Sequence, residues 1–328
     1  SYIPHNLLAG MRETDPSIRD LDLEFRGLSK FAVRALGARV SNRRPVTLWR
    51  SESLTDLLVD QRLRIAAEAA GSDVVFQIAD LWHTDRPYVT YRDEYWGQIE
   101  QLYEETGDMG LLGHPGFNIR RLRRRRDREN ALLRDAGAVV AFSEWAARYL
   151  RDELRIESER VHVVPPGANA IRREGLQEVI DARLARSPDR LLFVGVDFLR
   201  KGGGLLLDAF SIVRSRRPST TLTIAGPERW PADEPPGDGV DFVGRRSMEQ
   251  TIDAFGSHDL YVMPSLFEPY GIVYVEAQAN GLPCIGPERF AVPEIIDDGV
   301  TGRLVGSNDP EELAHVIMAS LDDAELFR

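Results

Sequence analysis

The sequence predicts an α/β protein built of two domains, each with a parallel sheet. Its 328 residues are long for one hydrophobic core and suit two. Short apolar runs that are typical of buried strands alternate with helical stretches, and several strands end in glycine-containing turns. We place the N-terminal domain at residues 1–170. The C-terminal domain, residues 171–328, begins with a polar, charged linker.

The composition is that of an ordinary globular protein, with 43% hydrophobic and 28% charged residues. No apolar run reaches the length of a membrane span. The net charge of −11 argues against nucleic acid as a partner. The one cysteine, Cys284, excludes an internal disulfide and favours a reducing compartment, so we expect a cytoplasmic protein.

Polar side chains follow two predicted strands of the N-terminal domain, at residues 73–79 and 87–91. The carboxyl ends of parallel strands form the edge where ligands bind, so these side chains indicate a ligand site. They are Asp80, Trp82 and His83 after the first strand and Arg92, Asp93 and Glu94 after the second. Ordinary loop polarity is the alternative explanation. Asp20 and Asp22 follow no apolar strand, and we interpret them as a solvated turn.

A strongly basic helix is predicted over residues 119–135, with seven arginines from Arg120 to Arg128. Such a stretch is typical of a helix that contacts an anionic membrane surface or an acidic acceptor. It predicts a peripheral contact with the inner face of the membrane. The alternative is a solvated helix face balanced by the acidic remainder of the chain, because the arginines are not confined to one stripe.

A basic, glycine-rich turn follows the first strand of the C-terminal domain. The strand spans residues 191–195, Arg200 and Lys201 precede three glycines, and a helix is predicted over residues 205–214. Basic side chains at the N-terminus of a helix suit phosphate binding. The residue order is neither that of a Walker A loop nor that of a dinucleotide fingerprint. A solvated turn is the alternative.

Two glutamates flank a later strand-to-helix turn. The strand spans residues 259–263 and the helix residues 272–280, so Glu268 lies on the loop and Glu276 on the helix, with seven residues between them. The first turn of a helix leaves unpaired amide groups that attract phosphate. The amides expected to do so belong to Tyr270, Gly271, Ile272 and Val273. Glu276 has apolar neighbours and therefore needs a partner.

This pair of glutamates resembles the Glu-x7-Glu motif of retaining glycosyltransferases, family 4 above all. That family has the GT-B fold, in which two Rossmann-like domains face each other across a cleft. The resemblance implies that Glu268 and the amides after it meet the donor sugar and its phosphates. It also implies that Glu276 holds the ribose, and that Lys201 and Arg200 grip the diphosphate.

The resemblance continues at other positions of the C-terminal domain. Gly195 matches the glycine that ends the first strand in the family. Val196 stands where the family often has arginine, and we expect Arg200 to substitute for it. Arg245 matches the loop that lies beside the nucleotide base in relatives, so we include it among the donor-binding residues.

The N-terminal domain departs from the family pattern. Many family members carry a histidine near the donor sugar, and here Arg92 or Asp93 occupies that position. With Glu268, these two residues are the candidate catalytic residues. The six histidines of the chain are scattered, and the family acts without a dissociable metal, so we expect no metal site and no cofactor.

The resemblance implies a retaining glycosyltransferase that takes its sugar from a nucleotide-sugar such as a UDP-, GDP- or ADP-sugar. The acceptor would be a glycan, a lipid-linked molecule or a small molecule. The usual first strand with its glycine-rich loop and the final crossover helix cannot be recognised, and we expect the start to be truncated. A GT-B sugar phosphorylase or epimerase and a non-catalytic nucleotide-sugar binder remain alternatives.

Overall fold

A computed structural model of the protein describes residues 3–21, 38–41, 44–47, 53–78, 81–231 and 236–326. The chain divides into two compact units, unit 1 (Ser1–Pro166) and unit 2 (Gly167–Arg328). Each unit has a parallel sheet with helices, which confirms the predicted fold class. Asp22 and Asp80 lie outside the described residues.

Unit 1 combines a parallel sheet with helices. The strands are β1 (Ala38–Ser41), β2 (Arg44–Thr47), β3 (Val75–Ile78), β4 (Tyr88–Arg92), β5 (Ala138–Ala141) and β6 (Val161–Val163). The helices are α1 (Ile3–Thr14), α2 (Ser53–Ala69), α3 (Trp96–Thr106), α4 (Ile119–Asp135) and α5 (Glu144–Arg148). Strands β3, β4, β5 and β6 pair in parallel in that order, whereas β1 and β2 form a separate antiparallel pair. Leu63, Leu133 and Val139 are buried in the core between helices and sheet.

Unit 2 contains a six-stranded parallel sheet. The strands are β7 (Arg190–Val194), β8 (Thr221–Ala225), β9 (Val240–Gly244), β10 (Leu260–Val262), β11 (Cys284–Pro287) and β12 (Gly302–Val305). The helices are α6 (Leu176–Leu184), α7 (Gly203–Arg216), α8 (Met248–Ser257), α9 (Ile272–Ala279) and α10 (Pro310–Asp322). The apolar side chains of β7, β8 and β10 are buried in the core with those of α7 and α10.

The strand order in unit 2 creates a crevice at one edge of the sheet. The order is β12-β11-β10-β7-β8-β9, so the chain adds strands on one side from β7 to β9 and on the other side from β10 to β12. The loops after β7 and β10 therefore lie next to each other. From one loop the chain continues towards β8, and from the other it continues towards β11, on the opposite side of this point. In open parallel sheets, ligands bind at such a switch point.

None of the helices in the described ranges combines the length and the hydropathy that a transmembrane span requires.

The arginines of α4 form ion pairs with the neighbouring helices. Asp56 and Asp60 of α2 lie 3.0 and 2.7 Å from the guanidinium groups of Arg125 and Arg128, respectively. Glu100 of α3 pairs with Arg123 at 2.8 Å, and with Arg126 as well. These contacts place four arginines of the basic helix in a network of ion pairs inside unit 1. The described contacts give no support to the predicted membrane contact.

Arg92, the last residue of β4, forms a buried ion pair with Glu129 of α4. The distance from Nη1 to Oε1 is 2.6 Å, and both side chains are less than a tenth exposed. The other oxygen of Glu129 accepts a hydrogen bond from the Trp96 amide at 2.6 Å, which ties the start of α3 to α4. Burial raises the pKa of Glu129, and the charge of Arg92 opposes that rise. Glu129 of α4 therefore joins β4 and α3 to its own helix.

Replacement of Glu129 by alanine should destabilise unit 1 by about 3–5 kcal/mol, because it leaves the Arg92 charge buried without its partner. Urea unfolding followed by tryptophan fluorescence measures this, since four of the five tryptophans precede residue 167. Arg123→Ala is the control: its pair with Glu100 is half-exposed, and the loss should stay below about 1 kcal/mol. Equal losses in the two variants would contradict the structural role of the buried pair.

Candidate functional site

The loop after β7 brings a lysine side chain back over the end of its own strand. Gly195 follows β7, and its amide donates to the carbonyl of Ala225 at 2.9 Å. A Cβ atom at Gly195 would lie 2.3 Å from Cδ of Lys201, so a side chain there would block the path of the lysine. The absence of a side chain at Gly195 therefore allows Lys201 to reach the switch point.

The loop after β10 ends in a glycine that begins α9. Gly271 has φ +94°, which favours glycine, and an added Cβ would lie 2.6 Å from the Tyr274 ring. No side chain caps the helix at this position. The amides of Ile272 and Val273 are therefore in the first turn of a helix without a capping side chain, where partial positive charge favours an anion. Tyr270, just before the glycine, is buried.

The two loops meet through a short ion pair. Nζ of Lys201 lies 2.7 Å from Oε2 of Glu268, and the two side chains are only 12% and 9% exposed. Around this pair, Nζ also lies 3.5 Å from the sulfur of Met263, and Ser265 Oγ donates to the same glutamate oxygen at 3.4 Å. The result is a cation and a carboxylate side by side, next to the start of α9.

Arg200 connects the loop after β7 to the loop after β10. Its guanidinium donates to the carbonyl of Phe267 at 2.8 Å and lies 3.3 Å from the carboxylate of Asp197. Its own carbonyl accepts from the amide of Leu266 at 2.9 Å. Arg200 thus contacts the loop that carries Glu268, and its hydrogen bonds are made to other residues of the protein.

Glu276 lies further along α9 and has different neighbours from Glu268. Its Oε1 accepts from the backbone amide and the side-chain amide of Asn169 at 3.3 and 3.4 Å, and from the amide of Ala170 at 3.4 Å. Burial raises the pKa of Glu276, and these hydrogen bonds oppose the rise. The half-buried carboxylate thus has the partners that its apolar surroundings demand.

A cavity of about 270 Å³ lies between α8 and the strands β7, β8 and β9. Val194, Ala225 and Val243 provide apolar walls, and Arg246 contributes its basic side chain. Arg245, which we predicted to lie beside the base, is not among the residues that line this cavity. It is mostly exposed and lies 3.3 Å from the equally exposed Glu228.

In unit 1, the carboxyl ends of the strands bring together a carboxylate and a histidine. Oε1 of Glu94, two residues beyond β4, lies 3.5 Å from Nε2 of His114, and the ring of Trp96 lies 4.5 Å from the imidazole. Asp93 is half-buried beside them in the chain. Sequence reasoning named Asp93 and Glu94 but missed His114, because its loop reaches β4 only through the packing of α3 and α4.

The residues after β3 have structural contacts. Trp82 is buried, and its amide and carbonyl both bond to the side chain of Gln77. His83 is exposed, and its amide donates to Asp60 at 2.7 Å. Within the described ranges, no three histidine, cysteine or acidic side chains are grouped as metal ligands.

Each of the two units matches the model of a known protein family. Residues 178–328 match the model described as glycosyl transferases group 1, and residues 24–172 match the one described as glycosyltransferase family 4. D-inositol 3-phosphate glycosyltransferase of Nocardia farcinica is 27% identical over 217 residues, which covers 61% of this chain and 48% of that protein. The chain spans about half the length of the curated relatives it matches.

Solved structures show the same fold. Sucrose-phosphate synthase from Thermosynechococcus elongatus matches with a TM-score of 0.63 and 20% identity, over 89% of this chain and 74% of that one. Anabaena HepE, in complex with UDP and glucose, matches with a TM-score of 0.55 and 19% identity, over 82% of this chain and 68% of that one. Two family models and the shared GT-B fold agree: the chain belongs to the family 4 glycosyltransferases.

Proposed function

We propose that this protein transfers a sugar from a nucleotide-sugar donor to an acceptor hydroxyl with retention of the anomeric configuration. The observation that carries the proposal is the Lys201–Glu268 pair at the switch point of unit 2, beside the uncapped start of α9. A cation and helix amides suit a diphosphate, and an adjacent carboxylate suits sugar hydroxyls.

The diphosphate of the donor would bind at the start of α9. Lys201 and the amides of Ile272 and Val273 would stabilise the negative charge that develops on the leaving diphosphate, which is the main electrostatic demand of the reaction. Arg200 adds positive charge to the same loops. Glu268 would orient the donor sugar and stabilise positive charge near the anomeric carbon.

The nucleoside would extend from this point along unit 2. Glu276 would hold the ribose with the oxygen that Asn169 and Ala170 leave available. The cavity under α8 starts at Val194, directly before Gly195, and it suits a flat base between apolar walls and Arg246. This arrangement gives the two glutamates separate tasks, one at the sugar and one at the ribose.

The acceptor would bind to unit 1, at the carboxyl ends of its strands, where Asp93, Glu94 and His114 provide polar groups. Arg92 is directed to Glu129 instead, so we propose that it acts by holding this edge together. The Nocardia relative takes its name from D-inositol 3-phosphate, which makes that compound the first acceptor to test.

A donor screen tests the proposal. UDP-, GDP- and ADP-sugars are added in a thermal-shift assay, and a ligand present at 100 times its dissociation constant should stabilise unit 2 by about 2.7 kcal/mol. The stabilising donor is then incubated with D-inositol 3-phosphate and other acceptors. Release of the nucleoside diphosphate with an α-linked product from an α-linked donor, seen by NMR, supports the proposal. Stabilisation without turnover would indicate a non-catalytic binder, and an inverted product would contradict retention.

Turnover should persist in excess chelator, because Lys201 and the helix amides balance the charge of the diphosphate without a metal ion. The measurement is release of nucleoside diphosphate with EDTA, with added Mg²⁺ and with added Mn²⁺. Loss of turnover in EDTA that either metal restores would show that the charge balance described above is incomplete.

Glu276→Ala should weaken binding of the nucleoside diphosphate about tenfold or more, the usual size of a charged hydrogen bond, and leave inorganic pyrophosphate unaffected. The reason is that pyrophosphate lacks the ribose that Glu276 is proposed to hold. Calorimetry with both ligands measures the two affinities. Because Glu276 also binds Asn169, melting curves must show that the variant is folded. Equal losses for the two ligands would contradict the ribose contact.

A further inference from the structure

The ammonium group of Lys201 is paired with a carboxylate of the protein itself. Its 2.7 Å contact with Glu268 is shielded from water, and the other described neighbour of Nζ is the sulfur of Met263, a weak acceptor. A diphosphate that binds Lys201 must therefore replace Glu268 at the ammonium, or share it. Two anions that share one cation in a largely buried place repel each other.

Ser265 is placed to hold the glutamate when this replacement occurs. Its hydroxyl donates to Glu268 Oε2, the same oxygen that faces Lys201, and the serine is 1% exposed. Its backbone is fixed because its amide donates to the carbonyl of Met263, which also accepts from the phenol of Tyr274. These contacts fix the backbone of Ser265 beside Glu268, and the same hydroxyl also bonds to the side chain of Tyr274.

We infer that Glu268 acts as an internal substitute for the donor diphosphate on Lys201, and that Ser265 is a positioning residue that retains Glu268 once the diphosphate has taken the lysine. The exchange releases the carboxylate from its ion pair when the donor arrives, so that it becomes available to the sugar. The inference rests on the proposed donor site. It adds a residue, Ser265, whose effect depends on the charge of Glu268.

Neutralisation of Glu268 should have the opposite effect on diphosphate binding from the one expected if Glu268 only bound the donor. If Glu268 competes with the diphosphate, its neutralisation should tighten diphosphate binding while it harms turnover. Removal of the Ser265 hydroxyl should weaken diphosphate binding, because the displaced carboxylate then loses its remaining hydrogen bond. That second effect should disappear when residue 268 carries no charge.

Calorimetry with inorganic pyrophosphate at low ionic strength tests these statements without knowledge of the base, sugar or acceptor. Glu268→Gln should bind pyrophosphate about tenfold more tightly than the unaltered protein. Glu276→Gln is the matched control, since it removes one negative charge from the adjacent helix α9 without a contact to Lys201, and the affinity of this variant should stay within about twofold. Ser265→Ala should weaken binding about threefold with Glu268 present and not at all in the Glu268→Gln protein.

The outcomes separate this inference from the proposed function. Weaker or equal binding by Glu268→Gln, or no binding of pyrophosphate by either protein at millimolar concentration, would overturn the exchange. Equal weakening by Ser265→Ala in both backgrounds would make the serine a structural residue only. The expected pattern without sugar transfer from any donor would leave the exchange standing and refute the proposed function. Sugar transfer without the expected pattern of pyrophosphate affinities would support the proposed function and refute the exchange.

Discussion

The contact between Lys201 and Glu268 is the interaction on which the site of unit 2 depends. Desolvation of two charges costs free energy that their attraction only partly returns, so a buried ion pair is weak evidence for stability. The Lys201–Glu268 pair joins the two loops at the switch point. It lies beside the N-terminus of α9, which no side chain caps. The proposed function gives the pair a role that stability does not: it places a cation and a carboxylate where the donor would bind.

The surroundings of the pair are built to hold the two loops at a fixed distance. Gly195 leaves room for the methylene chain of Lys201, and Arg200 links its own loop to the carbonyl of Phe267. At Gly202, an added Cβ would lie 1.9 Å from the carbonyl oxygen of Pro264, so the two backbones are in contact. A site placed on rigid elements in this way needs little reorganisation when charge develops during a reaction.

Unit 1 shows that neighbouring elements decide the surroundings of a charged side chain. Four arginines of α4 form ion pairs with Asp56, Asp60 and Glu100 of the adjacent helices. Arg92, which we predicted as a candidate catalytic residue, likewise pairs with Glu129. In both cases the partner lies on a different element, more than twenty residues away in the chain.

The sequence by itself determined the features that depend on neighbours in the chain. These include the alternation of strands and helices, the glycine at the start of α9, and the positions of Glu268 on a loop and Glu276 on a helix. Such features follow from local rules for strands, turns and helix ends. Which side chains contact each other became known only from the three-dimensional structure: Lys201 with Glu268, Glu94 with His114, and the arginines of α4 with their acids. Those contacts depend on the order of strands in a sheet and on helix packing, which join residues that no spacing in the sequence connects.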